Sequence, residues 1–168
     1  MRTQSLAIAA VLFSTACSGS DGPSDVEADA IRQDNASDEV FLRLLDAEGQ
    51  GNVMVNDALA PQWIAPTDGA MLAFATAPTF QWSQSATRHG VTTGDFVWLR
   101  LTGPGITAPI DVLSITTTSY TPGAETWGKI SAATGAVTGT LTGAYVDRGI
   151  IKEGPYRTTT PRTFTISP

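Results

Sequence analysis

Oxygen-bearing side chains recur at short intervals between residues 46 and 57. Acids stand at the first, third and twelfth places of a twelve-residue frame that has a glycine at its sixth place. This spacing is typical of a calcium-binding loop, in which carboxylate, amide and carbonyl oxygens surround the cation. The candidate ligands are Asp46, Glu48, Gln50, Asn52 and Asp57. A hairpin with strands over residues 40–45 and 52–55 and a glycine-rich turn explains the segment as well, and we favour it over a calcium site.

Phe96 and Trp98 could form a second kind of site, a platform that stacks on sugar rings or binds a partner protein. They lie on one face of a strand predicted over residues 95–102, and the alternate positions on its other face are also apolar. A strand that is apolar on both faces must be covered on both. Either the segment 39–60 or a helix covers the aromatic face, or that face is exposed to a ligand.

Groups of residues typical of enzymes are scarce in this sequence. One Cys and one His exclude a disulfide framework and an intramolecular Cys/His zinc cluster. His89 lies in a segment rich in Thr and Gly that is predicted to be a surface loop, and no Gly-x-Ser-x-Gly motif occurs. No pair of carboxylates is singled out by its position. We therefore predict a protein that is not an enzyme and that binds no metal or dissociable cofactor.

The first sixteen residues have the layout of a bacterial secretory signal peptide. Arg2 supplies a positive charge, residues 6–13 are apolar, and small residues precede Cys17. This arrangement resembles the lipobox of bacterial lipoproteins, which implies that Cys17 is acylated and becomes the first residue of the mature chain. More than one acyl chain gives stable membrane anchoring. Ordinary secretion, with Cys17 left as a free thiol, is the alternative. Ser18, rather than Asp, follows the cysteine, and the resemblance then implies the outer membrane.

Acidic charge is concentrated in one part of the chain. The 168 residues carry a net charge of −6, and residues 21–48 alone hold nine acids and two bases. Such a composition is typical of a disordered, solvated linker, which we place at residues 17–38. Residues 49–168 hold seven acids and seven bases, so nothing in this part predicts nucleic-acid binding.

Residues 39–168 are predicted to form one domain, with its core in residues 62–168. Short segments of alternating apolar residues are separated by Gly and Pro, a pattern typical of a β-sandwich. The predicted strands cover residues 71–75, 78–83, 95–102, 110–115, 116–120, 136–146 and 163–167. The charged stretches 147–149 and 152–157 are predicted to be loops. Residues 121–133 have a capping-type Thr, Pro and Glu in a first turn and apolar residues at helical spacing, which predicts one short helix that buries Trp127 and closes one end.

Four segments carry a resemblance to a known class of domain. They are the turn Pro-Thr-Asp-Gly at 66–69, Pro-Thr-Phe-Gln-Trp at 78–82, the strand 96–101, and Thr-Ser-Tyr-Thr-Pro at 118–122. Together they resemble the opening of immunoglobulin-like or fibronectin type III-like domains of bacterial extracellular proteins, which recur in lipoproteins of myxobacteria. The resemblance implies an all-β, antiparallel sandwich used for adhesion or as a spacer, and it implies no catalytic residues.

The sequence therefore predicts a non-enzymatic lipoprotein of the cell envelope, lipid-anchored at Cys17 in the outer membrane or at the cell surface. Its β-sandwich would serve as an interaction or structural domain. The alternative is a carbohydrate-binding module that uses Phe96 and Trp98. The expected partners are the membrane, through the lipid, and a protein or glycan.

Overall fold

The computed structural model of the protein describes residues 30–87 and 94–167. In these ranges the chain forms eleven β-strands and two α-helices. In chain order they are β1 (Ile31–Arg32), α1 (Asp38–Gly49), β2 (Met54–Val55), β3 (Trp63–Ala65), β4 (Ala70–Ala73), β5 (Phe80–Trp82), β6 (Asp95–Thr102), β7 (Ile110–Ser114), β8 (Ser119–Tyr120), α2 (Ala124–Ser131), β9 (Val137–Asp147), β10 (Ile150–Arg157) and β11 (Arg162–Ser167).

Eight of the strands form a large sheet around β9. Along one edge β9 pairs with β6, and the sheet continues through β7 to β1. On its other edge β9 pairs with both β10 and β11. Strand β2 then pairs with β10, and β4 pairs with β11. The pairs β1–β7, β2–β10 and β4–β11 are parallel. The sheet is therefore mixed, and the expectation of purely antiparallel pairing is wrong.

A second, smaller sheet contains three antiparallel strands in the order β3–β5–β8. Alternation along β5 buries Phe80 and Trp82 and exposes Gln81, as the sequence predicts. The two buried rings share an apolar core with Val97, Leu99 and Leu101 of β6 on the large sheet. A mostly β chain with two sheets on a common core is consistent with a β-sandwich.

Helix α2 closes one end of this core. Trp127 and Ile130 are buried in the core, and Lys129 forms an exposed ion pair with Glu125 one turn earlier. The predicted helix within residues 121–133 is confirmed, although it begins after Gly123, which has no side chain to cap it.

Helix α1 covers the opposite face of the large sheet. Ser37 caps its first turn by accepting a hydrogen bond from the amide of Val40, and acids occupy that turn, where they complement the helix dipole. Its buried residues recur at helical spacing and pack on β6. They are Val40, Phe41, Leu44 and Ala47. The strand predicted over residues 40–45 is therefore wrong, and so is the expectation of a single helix.

The folded body begins earlier than the sequence predicts. Ala30 is buried, Ile31 pairs with Val112, and the Gln33 amide donates a 2.8 Å hydrogen bond to the Leu113 carbonyl. Residues 30–38 therefore belong to the folded body rather than to the linker predicted over 17–38. Residues 17–29 lie outside the described part of the chain.

Strand β10 corrects a second prediction. Residues 152–157, expected as a charged loop, continue the large sheet beside β9. The register shifts twice along this pair, between Ile151 and Glu153 and between Glu153 and Tyr156. Such irregularities interrupt the two-residue alternation by which a strand is recognised in a sequence.

Candidate functional site

The predicted aromatic platform lies in the interior of the protein. Trp98 is 1% exposed and Phe96 is 7% exposed. The ring of Phe41 on α1 meets that of Trp98 edge to face, with 5.6 Å between the ring centroids. Neither aromatic is available for stacking on a ligand, because α1 covers both. The interpretation that segment 39–60 covers this face is confirmed, and the alternative prediction of an exposed aromatic platform is wrong.

Four charged side chains form a connected group beside Trp98. Arg100 donates to Asp111 at 2.9 Å and to Glu48 at 2.5 Å, and Arg157 donates to the other oxygen of Glu48 at 3.0 Å. The Trp98 indole N–H also donates to Asp111, at 2.7 Å, and the Arg100 guanidinium lies 4.6 Å from the ring centroid. We call these four charged residues the buttress. It joins the last turn of α1 to three strands.

The buttress is only partly shielded from water, since its side chains are between 10% and 30% exposed. Every charge has an opposite partner, so the group is electrically balanced. Such an arrangement positions elements and leaves no charged group unpaired for proton transfer. The sequence contains one sign of it, because Arg100 follows Phe96 and Trp98 on the same face of β6. Its partner Asp111 lies opposite it on the next strand, whereas Glu48, and Arg157 that also binds Glu48, come from distant parts of the sequence.

The calcium loop is not formed. Asp46 and Glu48 lie in the last turns of α1, where the Asp46 carboxylate accepts from the Gln50 side chain at 2.8 Å. Asn52 donates to Gln50, while Asp57 is bonded to Thr159 on a distant part of the chain. Among the residues that the structure describes, no group of three or more His, Cys, Asp or Glu side chains is placed to hold a metal ion.

Three aspartates share a different role, which the sequence analysis missed. The carboxylate of each accepts both the backbone N–H and the hydroxyl of one threonine. The pairs are Asp34–Thr117, Asp57–Thr159 and Asp68–Thr163. These hydrogen bonds stabilise the charged carboxylate and hold the pKa of each aspartate below its usual range. The first two pairs join connecting segments to each other, and the third joins the turn before β4 to β11.

Asp34 makes the most extensive of these contacts. Besides the Thr117 hydroxyl at 2.6 Å, it accepts from the amides of Ile115, Thr116 and Thr117 at 3.3, 3.0 and 2.7 Å. The Thr117 hydroxyl makes the largest contribution to lowering the pKa of Asp34. Three consecutive amides that converge on one point form an anion-binding concavity. Here the protein's own carboxylate occupies it.

Two of these aspartates border a shallow hollow of about 270 Å³ beside Trp63. Gln62, Arg162 and the hydroxyls of the 158–160 turn also line it. The six-membered ring of Trp63 packs against Gly139, where a Cβ atom would lie 2.7 Å from Cζ2 of the indole. The hollow combines acceptors, donors and one aromatic side chain, which is the chemistry that recognises hydroxylated ligands. No motif in the sequence brings these residues together.

Cys17 and His89 both fall outside the described residues, as does the predicted signal peptide. Neither of the described helices is long and apolar enough to cross a membrane. In comparisons with known proteins, no family model, no curated protein and no solved structure matches the chain.

Proposed function

We propose that this is a non-enzymatic, lipid-anchored protein of the bacterial cell envelope, at the outer membrane or the cell surface. Cys17 carries the lipid, and the two-sheet body serves as an interaction or structural domain. The observation that carries the proposal is the position of the one cysteine of the chain. It follows a signal-peptide pattern and is separated from the first described residue, Ala30, by the twelve residues 18–29.

The length of that segment supports anchoring close to a membrane. Twelve residues span about 20 Å as a coil and about 40 Å when fully extended. The body would therefore stay within roughly one domain diameter of the bilayer. An interaction domain at that distance can meet other components of the same membrane.

The proposal includes the finer type of fold, an immunoglobulin-like or fibronectin type III-like sandwich. Strand β5 supports it, because Phe80 and Trp82 are buried in the core between the sheets as the core tryptophan strand of such domains would be. Tyr120 on the neighbouring strand β8 is also buried there. Helix α1 and the three parallel strand pairs would then be additions to the common plan.

Intact mass tests the proposal. The full chain is produced in a Gram-negative host, extracted from membranes and weighed. We expect the mass of residues 17–168 plus the acyl groups. The variant Cys17→Ser should lose both the acyl groups and membrane retention, whereas the matched variant Ser18→Ala should keep both. A mature mass without acyl groups would overturn lipid anchoring in favour of ordinary secretion.

Sorting between the two membranes has a separate test. Under the sorting rule that the lipobox resemblance implies, Ser18→Asp should move the acylated protein from the outer to the inner membrane. Sucrose-gradient fractionation measures the distribution. An acylated wild-type protein found in the inner membrane would contradict the proposed location while leaving the lipid anchor in place.

A carbohydrate-binding module is the second candidate, and it is favoured by the hollow beside Trp63 rather than by Trp98. Its probe is calorimetric titration of the full chain with soluble peptidoglycan fragments and with neutral oligosaccharides. Trp63→Phe should reduce the binding constant, whereas Trp127→Phe, on helix α2, should not. Equal binding by both variants would exclude the hollow, and no heat at millimolar ligand would exclude both classes of sugar.

A further inference from the structure

The first described residue, Ala30, lies at one particular end of the body. β1 runs parallel to β7, with Ile31 opposite Val112, so Ala30 lies toward the start of β7. Ile31 borders a hollow lined by the β6–β7 loop, 106–109, and by Lys129 of α2. Ala30, the first described residue, therefore lies at the end of the body that helix α2 occupies.

We define the α2 end by four segments that meet there. They are residues 74–76, 103–109, 123–136 and 164–167. The Thr134 amide donates to the Pro104 carbonyl at 2.9 Å, and the Phe74 amide donates to the Ser167 carbonyl at 2.8 Å. The charged residues in these four segments are Glu125 and Lys129, which pair with each other at 2.9 Å. Among the described residues of the α2 end, the side chains therefore carry no net charge.

Apolar side chains project from this end. Phe74 is 55% exposed, and with Ala133 and Ile166 it lines an open hollow of about 330 Å³. Met71, three residues earlier, is 74% exposed. The backbone at Phe74 is held in place, because its carbonyl accepts a 2.7 Å hydrogen bond from the indole of Trp127. The ring is therefore presented from a fixed position while remaining open to solvent.

The opposite end has a different chemistry. The turn between β9 and β10 carries exposed Asp147 and Arg148, and the first turn of α1 brings Glu39 to the same hollow. Charged side chains at that end favour contact with water, whereas an exposed aromatic ring on an uncharged surface favours the boundary between lipid headgroups and acyl chains.

We infer that the α2 end is a lipid-docking surface, on which Phe74 inserts into the headgroup region of the bilayer that carries the protein. This inference rests on the proposed function, because the lipid on Cys17 supplies the proximity. The segment 18–29 contains four acids and no base, so attraction to anionic lipids does not drive docking. Docking by Phe74 should instead persist as the salt concentration rises.

The test uses acylated full-length protein in vesicles of phosphatidylethanolamine and phosphatidylglycerol. A single cysteine is introduced at exposed Ala75, beside Phe74, or at exposed Asp147 as the control, and labelled with an environment-sensitive fluorophore. Acylated Cys17 does not react with the label. We expect the Ala75→Cys label to shift to shorter wavelength and to be quenched by brominated acyl chains, and the Asp147→Cys label to stay in water.

Two further variants test whether the Phe74 ring itself carries the Ala75 label into lipid. Phe74→Glu should return the Ala75 label to water, whereas Leu42→Glu, which changes an exposed apolar residue of α1, should leave it in lipid. The melting temperature of each variant checks that the body is folded. We expect the label in each variant to respond in the same way at high salt.

Intact mass of each preparation distinguishes the two possible failures. An acylated chain whose Ala75 label stays in water, or whose two labels behave alike, overturns this inference alone. A mass without acyl groups overturns the proposed function and the inference together.

Discussion

The same strand, β6, meets two different environments on the two faces of the large sheet. On one face Val97, Leu99 and Leu101 are completely buried among apolar side chains of the second sheet and α2. On the other, Trp98 packs under helix α1 beside Arg100 and the rest of the buttress. Packing on the first face consists of apolar burial alone. Packing on the second face combines apolar burial with directed hydrogen bonds.

This difference indicates a division of roles. Apolar packing is non-directional and scales with the area removed from water, so the face toward the second sheet should contribute most of the stability. Ion pairs and indole hydrogen bonds contribute less net free energy but depend strongly on geometry. The buttress should therefore serve mainly to set the position of α1 on the sheet.

The largest effect is expected on the face toward the second sheet. Phe80→Ala removes a fully buried ring that contacts Phe164, with 5.6 Å between the centroids. We expect the free energy of unfolding to fall by about 4 kcal/mol, because a cavity remains in a closed core. Denaturant unfolding measures this. The neighbouring exposed residue provides the control, since Gln81→Ala should change stability by less than about 0.5 kcal/mol.

A smaller loss is expected on the helix face. Phe41→Ala should lower the free energy of unfolding by about 3 kcal/mol, because α1 can settle partly into the space left by the ring. It should also expose Trp98 and shift its emission to longer wavelength. Leu42→Ala, at a position 45% exposed on the same helix, should do neither. A loss greater than that of Phe80→Ala would reverse the proposed ranking of the two faces.

The buttress should show an intermediate effect. Arg100→Met leaves Asp111 with the Trp98 N–H and leaves Glu48 with Arg157. We expect a loss of about 1–2 kcal/mol, discounted for the partial exposure of these groups. Arg43→Met removes an exposed pair with Glu39 and should cost only about 0.3 kcal/mol. If the two variants lose equal stability, the buttress does no more than an ordinary surface ion pair.

The smallest effect is expected at the edge of the sheet, and it depends on pH. Asp34→Asn should cost about 1 kcal/mol at neutral pH, because a neutral amide accepts the Thr117 and backbone hydrogen bonds less strongly. The folded-state pKa of Asp34 lies below its usual range. The stability that ionised Asp34 contributes is therefore complete above its unfolded-state pKa, near 4. This stability is lost as the pH falls through its folded-state pKa. Asn is suitable here because it tolerates the positive φ of 56° at this residue.

Stability curves of Asp34→Asn and the wild-type protein at several pH values test this prediction. The difference between the two should shrink toward zero in acid. A difference that stays constant between pH 7 and pH 3 would show that the carboxylate charge at Asp34 contributes nothing.

Much of the second half of the fold could be predicted from local pattern. The bounds of β6 coincide with the predicted strand 95–102, and α2 lies within the predicted helix. Alternation also placed Phe80, Trp82 and Phe164 in the interior correctly. These predictions were correct because the side chains of each element alternate between its two faces with a regular period, and one face is buried.

The failures have identifiable causes. The acidic composition of residues 21–48 concealed α1, although Ser37 followed by two acids and helically spaced apolar residues is the start signal of a helix. β10 was missed because register shifts break its alternation. The parallel pairs of β1, β2 and β4 join segments far apart in the chain, and no local pattern encodes such pairings.

The sequence alone determined that β6 must be covered on both faces, because alternate positions of the strand are all apolar except Arg100 and the terminal residues. It also placed one cysteine at the end of a signal-peptide pattern. Only the tertiary structure decided that helix α1 covers Trp98, that Arg100 pairs with both Glu48 and Asp111, and that Ala30 lies toward the α2 end. Periodicity records which side chains avoid water, whereas their partners are chosen by contacts between distant parts of the chain.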